Sequence, residues 1–220
     1  MRGLVRWLPP PEPGTSVCGA LDGSESDDWT VIRLETATGF QFTPRWRATD
    51  EPMIWNPAQH GGRIPRLQVH DAWDELADTY RLERVYCDPG FNDPHDPTSW
   101  ISEIEMWDRK HGPETFVPWQ MGGQTRTKAV HASLVRFEAD LRSGALRHDG
   151  CPVTAAHIAN ARKVAKPGDR FILGKPAQHQ KIDAAVTAVL CHEAASDALT
   201  LGWGSKPTAS GISHVMYGFN

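Results

Sequence analysis

A chain of 220 residues with 40% hydrophobic content is long enough to bury one sizeable core without covalent staples, and a single α/β domain is expected. The formal charge of −4 offers nucleic acid no global attraction, although carboxylates gathered around cations can still grip phosphates because the ions reverse the local sign. Cys18, Cys87, Cys151 and Cys191 form no CxxC pair and no His/Cys zinc spacing, so they read as reduced, buried hydrophobes of an intracellular compartment. No run approaches the roughly 20 apolar residues that span a bilayer, and the N-terminal apolar run is too short for a signal peptide.

In chain order, residues 1–15 read as a linker or arm, carrying the proline-rich "LPPPEPG", and a domain is expected over 16–200. "VCGALDG" predicts a buried strand ending at Asp22, "SESDDW" a polar turn and "TVIRLET" a second strand. "GFQFTPRWR" predicts a third strand, which Pro44 would place at an edge or a bulge. Together they make an antiparallel meander. The period then changes: in "HDAWDELADTYRLE", Trp73, Leu76, Ala77 and Tyr80 share a helical face, and the apolar run "RVYC" follows, ending at Asp88. "DPTSWISEIEMWDRKHG" predicts a helix with Asp96 as N-cap, Pro97 at its first position, Trp100, Ile104 and Trp107 inward, and Gly112 at the stop. "ETFVPWQ" predicts a strand, and after "MGGQTRT" a helix turns Val130, Leu134, Phe137 and Leu141 inward and stops at Gly144. "PVTAAHIANARKVA" reads as helical, "DRFILGK" as extended and "KIDAAVTAVLCHEAASDA" as a long last helix, followed by a Gly- and Ser-rich tail over 201–220. The sum is a mixed β-sheet, an antiparallel meander plus parallel strands, flanked by helices.

Three carboxylates stand out. Asp22 and Asp88 each follow an apolar run and precede a turn residue, which puts them at strand ends, where α/β folds collect ligand sites. Asp183 lies in the first turn of the last helix, beside an expected apolar stripe of Ile182, Val186, Val189 and Leu190. An unpaired charge there is costly, and a divalent cation shared with two other carboxylates removes the cost. Each residue alone has a plainer account, since the helix dipole favours a first-turn Asp, and Asp-Gly and Asp-Pro are ordinary turn chemistry. Their order along the chain raises the joint reading.

"ALDGSESDDWTVI", "RVYCDPGF", "LRHDGCPVTAAHIANA" and "KPAQHQKIDAAVTAVLCHEA" together resemble the nuclease domain of the large terminase subunit of tailed phages, a ribonuclease H-like fold. The resemblance covers about residues 16–198, and the Lys-Ile-Asp-Ala-Ala run carries most of its specificity. It implies that Asp22, Asp88 and Asp183 hold two divalent cations, Mg²⁺ or Mn²⁺, with Asp22 bridging them, for hydrolysis of phosphodiester bonds in concatemeric double-stranded DNA. It also implies an ATPase motor domain, a small terminase subunit and a portal as partners, no membrane, and action in the cytoplasm of the bacterial host. The chain departs from the full family subunit in carrying no GxxxxGK[ST] loop, so the motor is expected elsewhere, on a longer protein or a separate chain. Two rival readings keep the fold: a nuclease acting on branched DNA or RNA–DNA hybrids, and a non-catalytic docking domain of the packaging motor.

Further candidates surround the trio. His179 and Lys181 flank Asp183 and are placed to meet a phosphate, and His157 and Asn160, one helical turn apart, are candidates to support the site. The plainer account of His157 is a satisfied helix histidine. Lys175, Arg126, Lys128 and Arg63 are candidates for a basic rim. Asp27 and Asp28 read first as solvated turn residues, and "GFNDPHDP" as a surface loop. Trp73, Trp100 and Trp107 are expected in the core, whereas Trp29, Trp46, Trp55 and Trp119 have no assigned place.

Overall fold

The computed structural model describes residues 7–90 and 93–204; the first six residues, residues 91–92 of the "GFNDPHDP" loop and the tail from 205 lie outside the described residues. The elements are β1 (Ser16–Asp22), β2 (Thr30–Thr36), β3 (Phe40–Phe42), β4 (Ile54–Trp55), α1 (Arg66–Thr79), β5 (Arg81–Asp88), α2 (Ile101–His111) and β6 (Phe116–Pro118). They continue with α3 (Thr127–Ser143), β7 (Arg147–His148), α4 (Pro152–Asn160), β8 (Arg162–Lys166), β9 (Arg170–Gly174) and α5 (Asp183–Leu201).

Alternation along β1 sets the architecture. Val17 and Leu21 point to one side, Cys18 and Ala20 to the other, and all four are buried, so the sheet is covered on both faces. The main sheet runs β6-β5-β1-β2-β3-β7, with β4 paired to β2. β1, β2 and β3 form the expected antiparallel meander, while β5 and β6 add parallel strands beyond β1. One face carries α1 and α2 and a core rich in tryptophan: Trp73, Trp100 and Trp107 lie buried there with Phe42 and Phe116. The other face carries α3 and α5, packed through Cys18, Ala20, Tyr86, Val130, Leu134, Leu190 and Cys191. All four cysteines are free and buried, and burial pushes the thiols of Cys18, Cys87 and Cys191 up. Among the described residues no helix is long and apolar enough to cross a membrane.

Several boundaries differ from the sequence expectation, each for a local reason. β3 ends before Pro44 and is not an edge, because β7 pairs with it on the far side. α2 begins at Ile101, since Asp96 spends its carboxylate on the amide and hydroxyl of Thr98 in a separate turn and Pro97 precedes the helix. α1 starts four residues early, at Arg66. The helix expected through Ala165 stops at Asn160; residues 162–166 instead pair with β9 as a hairpin, turned through Gly168 (φ 77°) and Asp169 (φ 54°). On α5, Val189 and Leu190 are buried but Ile182 and Val186 are only half-buried, and the sheet contact is made by small residues such as Ala184, Ala188, Ala194 and Ala195. Their size lets the helix backbone approach closely enough for the Cys191 thiol to reach the Arg33 carbonyl of β2, at 3.4 Å.

Candidate active site

Asp22 and Asp88 are direct partners across the parallel pair β1–β5. Within β5, Val85 and Cys87 face the tryptophan core, so Tyr86 and Asp88 face the α5 side, as Cys18, Ala20 and Asp22 do on β1. Leu82 also packs on the tryptophan side, three residues from Val85, which strict alternation forbids. A register shift reconciles the two: Val17 pairs with Leu82 and Cys18 with Arg84, leaving Glu83 as a bulge.

Trp100 joins the turns that follow the two aspartates. Its backbone amide donates to the Pro89 carbonyl and its indole Nε1 to the Ser24 carbonyl, at 3.0 and 3.2 Å. A Cβ on Gly23 would lie 2.7 Å from the Trp100 ring, so the residue after Asp22 must be glycine for this packing. Both Asp88 oxygens accept backbone amides, Oδ1 from Gly90 and Oδ2 from Met121, each at 3.0 Å.

Asp183, the first residue of α5, is buried, and no local side chain caps that helix. The cap comes from α4: the Ala184 amide donates to His157 Nδ1 at 3.0 Å, and Asn160 Nδ2 donates to the Lys181 carbonyl at 2.9 Å. Accepting at Nδ1 puts the imidazole proton on Nε2. Burial, helped by Lys181, lowers the His157 pKa to about 4, so the ring is neutral. Its Nδ1 therefore has no proton for Asp183 Oδ2, 4.0 Å away, and Oδ2 is buried without a hydrogen-bond partner.

Electrostatics bind the three carboxylates into one group. Burial and then the charges of Asp88, Asp183 and Asp28 hold the Asp22 carboxyl well above its ordinary range. Burial and Asp28 raise Asp183 to about 6. Burial also raises Asp88, against the pull of the Gly90 and Met121 amides and Arg126. Clustered, desolvated carboxylates with an orphaned oxygen are the environment that a hard divalent cation stabilises, and all the donors are oxygens. Among the described residues no three His, Cys, Asp or Glu side chains already stand at ligand spacing around one point. The residues fit a divalent cation by donor type, by charge and by the unpartnered Asp183 Oδ2.

Asp28 is the neighbour that the sequence reading undervalued. It acts on both Asp22 and Asp183, and its carboxylate accepts from Lys175 Nζ at 2.7 Å and Lys181 Nζ at 2.9 Å. Burial opposes its ionisation, but these two ammonium groups keep it below the usual carboxylate range. Asp27 pairs with Lys181 and Gln178. The Asp27–Asp28 turn thus laces to the loop before α5. The only signal in sequence was its nearness to Asp22. His179 is exposed in that loop. Arg126 stacks on Trp119, with its guanidinium 4.2 Å from the ring centroid, while Arg63 lies apart, beside Glu25. Trp29 sits edge-on to His157.

No family model matches the chain. The Gene 13 proteins of Mycobacterium phages D29 and L5 are each 28% identical to it, over 203 and 217 residues, or 87% and 94% of this chain. The chain spans about a third of the length of these relatives, 31% and 33%. Among solved structures, the large terminase nuclease of thermophilic phage G20c superposes with a TM-score of 0.59 at 12% identity, covering 86% of this chain and 92% of that one. The HK97 bacteriophage large terminase gives 0.59 at 15% identity, covering 85% of this chain and 41% of that one. The G20c nuclease with bound magnesium gives 0.55 at 14% identity, covering 86% and 85%. The mixed sheet, the helices on both its faces and these superpositions agree: the chain has the ribonuclease H-like fold of phage large-terminase nuclease domains.

Proposed function

We propose that the chain is a metal-dependent endonuclease that hydrolyses phosphodiester bonds of double-stranded DNA during phage genome packaging, with Asp22, Asp88 and Asp183 as its metal-binding acids. The observation that carries this reading is the cross-strand Asp22–Asp88 pair, electrostatically joined to an Asp183 whose buried Oδ2 has no partner. The solved nuclease with bound magnesium, and its counterpart with bound cobalt, support a divalent cation in this fold. Two divalent cations, Mg²⁺ or Mn²⁺, would supply Lewis acidity toward water and the leaving 3′ oxygen.

The chain's own residues do the rest. Asp22, the strand partner of Asp88 and within the electrostatic reach of Asp183, would hold metal together with both. The Gly90 and Met121 amides orient the Asp88 carboxylate, and α4 holds the start of α5 so that Asp183 stays aimed at the strand ends. Lys175 and Lys181 steady Asp28 beside the acids, and as cations they offer charge to a nearby phosphate. Concatemeric DNA is the substrate of this reading. Its partners are an ATPase motor, a small terminase subunit and a portal, and its setting is the host cytoplasm.

Nicking of supercoiled plasmid in Mn²⁺, Mg²⁺ or EDTA tests the proposal, with folded Asp183→Ala as the comparison. Cutting that needs the metal and is lost in the variant supports it. Cutting indifferent to EDTA or to Asp183 refutes it. Linear duplex, a four-way junction and an RNA–DNA hybrid, run in parallel, identify the preferred substrate.

A further inference from the structure

A cleft of about 570 Å³ opens beside Asp88, between the loop that follows β6 and the β8–β9 hairpin. Met121 belongs to both features: its amide holds Asp88 Oδ2 and its side lines the cleft. Gly122 and Gly123 line the same wall, with open space where a Cβ would stand, so their backbone is accessible. Lys166 and Arg170, from the two strands of the hairpin, line the opposite wall.

Neither of these two cations has an acidic partner among the described residues, whereas several others nearby do. Lys163 pairs with Glu138, Lys175 with Asp28, Lys181 with Asp27 and Asp28, Arg136 with Glu193 and Arg142 with Glu138. A chain of net charge −4 that leaves two half-buried cations unneutralised in one cleft has a surface shaped for an external anion. Arg126 and Lys128 extend the same sign along the loop and into α3, and neither forms a direct ion pair among the described residues, although Arg126 acts on Asp88 from a distance.

We propose that this cleft binds the backbone of a DNA strand, with Lys166 and Arg170 contacting phosphates that flank the one positioned at Asp22, Asp88 and Asp183. The inference rests on the nuclease reading for its ligand and adds a surface that reading does not use. Lysine and arginine contacts to phosphate are insensitive to base identity, so the cleft sets affinity and strand position without setting sequence preference. Because each phosphate contact releases bound counterions, its loss weakens binding and flattens the dependence on salt.

The test is fluorescence anisotropy of a labelled duplex of about 30 base pairs, in Ca²⁺ to support binding without turnover, across about 50–200 mM salt. Wild type is compared with Lys166→Gln, with Lys166→Gln/Arg170→Gln and with a charge-matched Arg81→Gln/Arg147→Gln control at distant, exposed positions. The expected result for the double variant is about tenfold weaker binding near 0.1 M salt and a log–log slope shallower by about 1.8, with the single variant about halfway and the control unchanged. In plasmid cutting, the double variant should raise KM and leave kcat within about twofold.

Glutamine removes the charge while keeping a polar side chain and the first methylenes of each stem, and equal melting temperatures exclude misfolding. A double variant matching wild type in affinity and slope, or a control falling equally, overturns the cleft assignment. A wild type that does not bind the duplex at the lowest salt overturns it too. Failure of the nuclease reading shows separately, as plasmid cutting that ignores metal or Asp183, whatever the anisotropy reports.

Discussion

Asp22 faces Asp88 across two parallel strands because β5 carries one residue more than β1 needs. Without the bulge at Glu83, the pairing that starts at Ser16–Arg81 would bring Asp22 opposite Cys87. The bulge also lets Leu82 and Val85 both reach the tryptophan core. Deleting Glu83 therefore regularises the strand and leaves every later residue on its present face. That variant should keep Mn²⁺ binding and lose no more than about 1–2 kcal/mol, the scale of losing its Ser16 contact. Deleting Val85 regularises the strand as well but drives Arg84 into the tryptophan core, and should cost more than about 4 kcal/mol. Urea denaturation of the two deletions checks the ordering; equal losses would refute it.

The His157–Ala184 hydrogen bond predicts an unusual substitution pattern. His157→Leu leaves a buried helix-start amide unpaired, worth about 1–3 kcal/mol, and frees the start of α5. His157→Asn keeps an acceptor near the position of Nδ1. If the ring positions Asp183 through the helix start, Leu should weaken Mn²⁺ binding by about 10-fold or more and Asn should restore most of it. Isothermal titration with Mn²⁺ decides. Equal weakening in both variants would mean that the ring acts by packing alone.

Asp183 makes the metal-free domain sensitive to pH in a direction set by its raised pKa. Ionising a carboxyl that titrates near 6 when folded and near 3.8 otherwise costs the folded state up to about 3 kcal/mol. That penalty grows as pH rises from about 4 to 6 and is constant above. In EDTA at neutral pH, Asp183→Asn should therefore melt higher than wild type, and the two should converge in acid. Adding Mn²⁺ should raise the wild-type melting temperature and leave Asn nearly unmoved. A wild type that melts higher in EDTA at neutral pH contradicts the assignment.

A second titrating group, His192, belongs to α5 itself, apart from the three aspartates. His192 Nδ1 meets Glu35 at 3.0 Å and its Nε2 meets Asp140 at 2.9 Å, while Phe137 packs edge-on against the ring. Burial opposes protonation, but the two carboxylates prevail and raise its pKa above the ordinary value. A raised pKa in the folded state means stability that is complete below about pH 6.5 and lost as pH climbs through the folded value. Wild type should thus soften on the alkaline side more than His192→Gln does. His192→Ala, which takes the cationic partner from buried Glu35 and leaves it the Gln41 amide, should cost about 3–5 kcal/mol at pH 6. Thermal melts between about pH 5 and 9 test both statements.

Local chemistry already carried much of this molecule. Apolar runs ending in Asp22 and Asp88 named two strand ends, the Trp100, Ile104 and Trp107 spacing named a core helix face, and the meander followed from two short turns. These signals are legible because side-chain period and turn residues act over a few positions. Less legible were features in which distant segments supply the partner. "RKVAK" reads as a continuing helix until β9 is there to pair with it. The two-residue β4 and β7 have no signal of their own. Arg33 and Glu35 of β2 are buried, with Asp149, Thr154, Gln41 and His192 arriving from other segments to bond the Arg33 Nη atoms and the Glu35 carboxylate.

By itself, then, the sequence determined the kind of sheet, the ends of its central strands and the three acids worth watching, because hydrophobic period and turn chemistry are local. Tertiary structure alone decided that a bulge at Glu83 aligns Asp22 with Asp88, that His157 caps the helix presenting Asp183, and that Asp28 joins them through Lys175 and Lys181. Register, capping from another element and the mutual field of buried charges depend on which segments meet in space, and no spacing along the chain records that.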